Sequence, residues 1–130
     1  MIVLPRSIGV NLLERKNGEM DFMPSQGDII WLNFTPQSGH EQMGKRPALV
    51  ISNDFFNRKT GFAFVCPITS TQKSYPLHVK LTATKKINGF IMVEQSKSID
   101  YRSRGAEFIE KADPEIIDEV LARFRACFDQ

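Results

Sequence analysis

The chain has 130 residues, 42% of them apolar and 25% charged, with 17 Lys and Arg against 15 Asp and Glu for a net charge of +2. A single domain of this size removes roughly two thirds of its unfolded surface from water, which excludes disordered and fibrous classes and makes disulfides or a structural metal unnecessary. Cys66 and Cys127 show no Cys-x-x-Cys or Cys/His spacing, no apolar run nears the ~20 residues of a membrane span, and Met1 to Leu13 lacks the pattern of a signal peptide. A cytoplasmic protein without a membrane association is expected.

Residues 1–26 show weak periodicity, a turn-like Lys16-Asn17-Gly18 and further methionines at Met20 and Met23. They read as an N-terminal extension to a domain spanning 27–130. The extension is a short hairpin or helix packed on the domain, a floppy arm, or residues upstream of a start at Met20 or Met23. Asp28 to Phe34 is rich in β-formers and stops at Thr35-Pro36, giving a strand. A long polar loop, Gln37 to Pro47, follows, and loops of that length in small domains are more often functional than short connections. Ala48 to Ser52 is a continuous apolar run, the mark of a strand buried on both faces. Asn53 to Gly61 makes a turn or one to two helical turns.

Phe62 to Thr69 is the next strand, and Pro67 inside it implies an edge or a bulge because proline cannot donate to a ladder. Leu77 to Leu81 alternates as a half-exposed strand, and Asn88-Gly89 signals a tight turn before the strand Phe90 to Val93. Two more short strands cover Ser96 to Ile99 and Ala106 to Ile109. Asp113 as N-cap and Pro114 at the first helical position open a terminal helix. Its apolar positions Ile116, Ile117, Val120, Leu121, Phe124 and Phe128 form one stripe. The expected fold is mainly β, a small barrel of about seven short strands with a C-terminal α-helix.

Charge is unevenly placed. Gly39 to Gly105 holds eleven basic residues against four acids, whereas Asp113 to Gln130 holds five acids and two arginines. Such a division is either an ordinary solvated surface or a polyanion-binding face, since clustered Lys and Arg gain from counterion release on a phosphate backbone.

Ser-hydrolase, zinc-protease, P-loop and dinucleotide signatures are absent. An enzyme here works with arginines, hydroxyls and a carboxylate, and these occur together in Gly39 to Pro47, Thr69 to Tyr75 and Glu94 to Arg104. RNA scission by internal attack suits that set. It needs a base for the ribose 2′-hydroxyl, donors for the phosphorane oxygens and an acid for the leaving 5′-oxygen, and it requires no metal or other cofactor.

Gly27 to Pro36, followed by Gly39-His40-Glu41-Gln42-Met43-Gly44-Lys45-Arg46-Pro47 and Ala48 to Ser52, resembles the MazF/PemK family of toxin endoribonucleases, and the MazF branch more than the PemK branch. Cys66-Pro67-Ile68-Thr69-Ser70, Lys73-Ser74-Tyr75-Pro76, Gln95 to Asp100 and Arg102 to Ala106 agree in the same order. The resemblance spans Gly27 to about Phe128. It implies an SH3-like barrel of the CcdB/PemK type, a homodimer, sequence-specific cutting of single-stranded RNA, messenger RNA above all, and a cognate MazE-like antitoxin with an acidic disordered tail.

Carried onto this sequence, the resemblance marks Arg46 and Thr69 as catalytic. Arg46 would stabilise the phosphorane charge and Thr69 would donate a hydrogen bond to the phosphate. Glu41 is either the general base or a surface carboxylate pairing with Lys45 or Arg46. Lys45, Lys73, Lys97, Arg102 and Arg104 are candidates to line the RNA path, Arg102 and Arg104 sharing a face if they lie on a strand. Gln42, Ser70 and Gln72 are candidates to read base edges from loops. His40 is a lone loop histidine, Asp100 structures the turn before the arginines, and Trp31 and Phe34 are core or dimer contacts. Competing readings are a CcdB-like toxin that grips a protein such as DNA gyrase without catalysis, and a plain RNA-binding module.

Overall fold

The computed structural model describes residues 11–14, 20–34, 44–71 and 75–129. In chain order these form β1 (Asn11–Glu14), β2 (Met20–Met23), β3 (Asp28–Asn33), β4 (Lys45–Val50), α1 (Asp54–Thr60), β5 (Phe62–Thr69), β6 (His78–Lys80) and β7 (Phe90–Met92). A 3-10 turn at Val93–Gln95, β8 (Lys97–Asp100), β9 (Glu107–Lys111) and α2 (Pro114–Ala126) complete them.

β1 and β2 pair as a hairpin, and the other seven strands make one antiparallel sheet in the order β6-β7-β5-β4-β3-β9, with β8 added to β5. The expectation of about seven short strands and a terminal helix holds. Strand directions follow the side-chain period of two. Ile29, Leu49, Cys66 and Ile68 point to one face, where α2 packs through Ile116, Ile117 and Val120. Ile30, Leu32, Ala48, Val50, Val65 and Ile99 point to the other, which Met23, Phe34 and Tyr101 fill. Alternate residues of β3, β4 and β5 thus enter two separate cores, which is why Ala48, Leu49 and Val50 are all fully buried.

Several expected details differ. β4 begins at Lys45, so Lys45 to Pro47 belong to a strand rather than to the preceding loop. β5 is central, not an edge. Pro67 falls where its outer neighbour changes from β8, paired with Phe62 to Val65, to β7, paired with Ile68 and Thr69, so its missing N–H breaks neither ladder. Asn88-Gly89 ends a nine-residue connection between β6 and β7 instead of forming a two-residue hairpin turn. Asp113 occupies the N-cap of α2 without a side-chain capping bond, and Phe128 lies beyond the helix, 71% exposed, with its ring 5.2 Å from that of Phe124.

The 26/27 boundary marks no break in packing. Met23 is fully buried, Phe22 meets Phe108 edge to face at 6.2 Å, and the buried Asn57 amide donates to the Pro24 carbonyl at 2.8 Å. Asn57 is held in turn by α1, which Asn53 caps through the Phe56 N–H and Gly61 ends at φ +73°. Its backbone carbonyl accepts from the Tyr101 hydroxyl at 2.9 Å. Asp28, fully buried, accepts from the Ser25 N–H at 2.8 Å and pairs with Lys111. Burial pushes its carboxyl above the usual range, against the pull of Lys111 and the Ser25 N–H.

Candidate active site

The sheet register places the two strongest sequence candidates at the same end of neighbouring strands. Ala48 lies opposite Pro67 and Val50 opposite Val65. The paired residues end at Ala48 and Pro67; Arg46, on β4, and Thr69, the last residue of β5, each lie two positions beyond that pair, at the same end of the two strands. With a side-chain period of two, Arg46 shares the face of Ala48 and Thr69 that of Pro67. The face of Ala48 and Arg46 is the one that enters the barrel core, since Arg46 stands opposite the buried Leu32. Arg46 therefore continues an inward-facing row past the end of the core and emerges exposed at its rim.

Phe34, 1% exposed, closes the core at that rim. Lys97 pairs with Val65 in the register, and its ammonium sits 5.6 Å from the Phe34 ring centre. A cation near an aromatic face is attracted by the negative face of the ring. The backbone of Asn33, just before Phe34, donates to the Arg104 carbonyl at 3.0 Å, and the Arg104 guanidinium lies 3.5 Å from the Asn33 carbonyl. Lys97 at Phe34 and Arg104 at Asn33 thus lie at the end of β3, and Arg46 stands opposite Leu32 on the neighbouring strand.

Arg102 and Arg104 lie in the Tyr101–Gly105 turn, not on a strand, so the shared-face expectation is corrected. Asp100 builds this turn: its carboxylate accepts from the Arg102 and Ser103 N–H groups at 3.2 and 3.3 Å, and its carbonyl from the Ser103 hydroxyl at 3.2 Å. Lys45 is on the opposite face from Arg46, 3.8 Å from the Glu107 carboxylate and over Trp31. Thr69 anchors the loop that follows it, its hydroxyl accepting from the Thr71 N–H at 3.1 Å, and Ser70 is exposed beside it. Glu41, Gln42, Gln72 and Lys73, with His40, lie outside the described residues.

Two residues were not singled out for the site in sequence. Gly89 has φ +139°, and a Cβ there would stand 2.3 Å from the Thr69 carbonyl oxygen. Glu110, on β9, takes the Lys85, Lys86 and Ile87 N–H groups at 2.9, 2.8 and 2.8 Å. Gly89 carried the signal of a turn glycine; Glu110 carried none, because its partners are backbone groups more than twenty positions away. Cys66, in contrast, is no nucleophile: burial, then Glu94 and Cys127, push its thiol up to about 12.

The model of a family described as PemK-like, MazF-like toxin of type II toxin-antitoxin system matches residues 25–128. The chain is 38% identical over 102 residues to the endoribonuclease toxin MazF of Escherichia coli K12, covering 78% of this chain and 91% of that one. It is 37% identical over 100 residues to the endoribonuclease EndoA of Bacillus subtilis, covering 73% and 85%. Among solved structures, MazF of Deinococcus radiodurans superposes with a TM-score of 0.79 at 42% identity, covering 83% of this chain and 98% of that one. A MazE–MazF complex from the same organism gives 0.73 at 35% identity, covering 85% and 99%. The chain belongs to the PemK-like, MazF-like toxins of type II toxin–antitoxin systems.

Proposed function

We propose that Arg46 and Thr69 carry the endoribonuclease activity of this toxin, acting on single-stranded RNA in the cytoplasm, with messenger RNA as the main substrate. The observation that supports this reading most is the β4–β5 pairing, which leaves a permanent cation and a hydroxyl at the same end of neighbouring strands. The ribose 2′-oxygen attacks the adjacent phosphorus, the bond to the 5′-oxygen breaks, and a cyclic phosphate and a 5′-hydroxyl result. Arg46 offers fixed N–H donors to the equatorial oxygens as their charge grows, and Thr69 adds a hydroxyl donor. Glu41 takes the 2′-hydroxyl proton, and the leaving 5′-oxygen takes a proton from solvent water, so the protons balance. The substrate supplies its own nucleophile, so the step balances without a metal.

Lys97, Arg102 and Arg104, with Lys73, line the RNA path, while Gln42, Ser70 and Gln72 read base edges. Lys45, turned toward Glu107, stands apart from that path. The protein acts as a homodimer with one RNA groove across it. A cognate antitoxin with an acidic, disordered tail folds over the basic rim and competes with RNA there. The complexes of MazF with MazE in Deinococcus radiodurans support such a partner.

The test is incubation of the protein with a long, weakly structured RNA in excess EDTA, with mapping of the new ends, alongside Arg46→Ala. Cleavage at one short recurring sequence, leaving 5′-hydroxyls and lost in the variant, is expected. RNA that is bound but left intact, or cut equally by Arg46→Ala, overturns the assignment.

A further inference from the structure

The sheet order runs from β6 at one end to β9 at the other, and the connection from Leu81 to Gly89, between β6 and β7, meets Glu110 on β9. This segment is built tightly. Ala83 sits at φ +60°, the Thr84 hydroxyl donates to the Ile87 carbonyl at 2.6 Å, and the Leu81 N–H donates to the Gly89 carbonyl at 2.9 Å. Its fixed point is Glu110, whose two carboxylate oxygens receive three successive backbone N–H groups. Charge-assisted bonds of this kind are stronger than neutral ones, and three of them leave the segment little freedom.

The far end of the same segment reaches the rim. Phe90 pairs with Thr69, and Gly89 lies so close that a Cβ would stand 2.3 Å from the Thr69 carbonyl oxygen and 3.0 Å from its carbonyl carbon. Those are backbone atoms, which cannot swing aside as a flexible side chain does. The backbone of Thr69 is thus braced by a segment whose own position is set across the barrel.

We propose that Glu110 and Gly89 are positioning residues for the cleavage reaction: Glu110 clamps the Lys85–Ile87 backbone, and Gly89, at the end of that clamped segment, fixes the Thr69 main chain so that its hydroxyl meets the scissile phosphate. This rests on the assignment of Thr69 above. Neither residue touches RNA. Their effect falls on the rate of the chemical step, because a shift of about 1 Å in a group aimed at the transition state can cost up to a hundredfold in rate, while the cations that hold the RNA stay in place.

The experiment measures cleavage of an RNA carrying one mapped site, giving kcat and KM for the parent, Thr69→Val, Glu110→Ala, Glu110→Gln and the double variant Thr69→Val with Glu110→Ala. Affinity is read on the same RNA with a deoxyribose at the cut site, and all rates are taken well below each melting temperature. Expected are a kcat for Glu110→Ala lowered about tenfold, KM and affinity within about twofold, and partial recovery in Glu110→Gln, which keeps one acceptor. The double variant should be no slower than Thr69→Val alone, since a residue acting through Thr69 has nothing left to position. Gly89→Ala should lower kcat more than Glu110→Ala does; if it fails to fold, the Glu110 variants decide alone. Parental kcat in Glu110→Ala, losses that multiply in the double variant, or a drop in affinity matching the drop in kcat overturn the positioning role. Parental activity in Thr69→Val instead overturns the assignment of Thr69 itself.

Discussion

The two cores on either side of the central sheet are built from alternate residues of the same strands, yet they do different work. The core under α2, with Ile29, Leu49, Ile68, Ile117 and Val120, ends against a helix and is closed on all sides by apolar contact. The core inside the barrel, with Ile30, Leu32, Val50 and Val65, is filled by Phe34, and Arg46, opposite the buried Leu32, continues the inward row of β4 beyond it. The proposed site therefore sits where one core runs out, and the other core holds the strands from behind. Catalytic placement here needs no dedicated scaffold beyond the two-residue period of a strand.

Breaking each side separately gives the largest effects. Arg46→Ala should lower the cleavage rate by about a hundred- to a thousandfold, the usual cost of one lost transition-state donor, with an unchanged melting temperature because the side chain is exposed. Ile117→Ala should do the opposite: about 2 to 5 kcal/mol less stability by denaturant titration, with cleavage retained in the fraction still folded. If Ile117→Ala abolished activity in folded protein, the division of labour would be wrong.

Tyr101→Phe sharpens the comparison on the barrel side. It deletes the hydroxyl that donates to the Asn57 carbonyl at 2.9 Å in a fully buried setting. A loss of about 0.5 to 1.5 kcal/mol is expected, the net worth of one hydrogen bond, because the Asn57 carbonyl keeps the Gly61 N–H as a donor at 3.1 Å.

Two carboxylates should give opposite pH dependence. Asp28 is raised by burial, so the stability tied to its protonated form is complete below the ordinary carboxylate range and is lost as pH rises through the raised value. For Glu110, desolvation pulls upward, but the Lys85, Lys86 and Ile87 N–H groups and the Lys86 charge outweigh it and leave the carboxyl lowered. Its contribution is present above the ordinary range and is lost as pH falls through the lowered value. Melting curves from about pH 7 to 3 should show Asp28→Asn removing a gain on mild acidification and Glu110→Ala removing a loss in stronger acid.

The smallest effect separates two lysines that sequence alone treats alike. Lys45→Ala removes a pair whose partners are 61% and 65% exposed, a change under about 1 kcal/mol, and should leave RNA affinity unchanged. Lys97→Ala, at the Phe34 rim, should weaken RNA binding and flatten its salt dependence.

The strands and the terminal helix were legible in sequence because they follow period and capping rules: Phe62 to Thr69 matches β5 end to end, and Pro114 starts α2. Arg46 and Thr69 were singled out through their motifs, but their place at the same end of neighbouring strands was not legible, since register between strands leaves no local mark. The Arg102/Arg104 reading failed because Asp100 captures the following N–H groups and turns the chain, a competition between side-chain acceptor and strand that two-residue spacing does not reveal. The brace from Glu110 to Thr69 was out of reach for the same reason as any contact made through main-chain atoms: no residue type announces it.

The contrast between the two cysteines has a practical side. Cys66 is sealed in the core with its thiol pushed up to about 12, while Cys127 is exposed just past the end of α2. At neutral pH a maleimide should find a single address on each described chain, at the helix end packed on the sheet face away from the rim. A fluorophore attached there would report subunit exchange or antitoxin docking without an engineered cysteine and without touching the residues that cut.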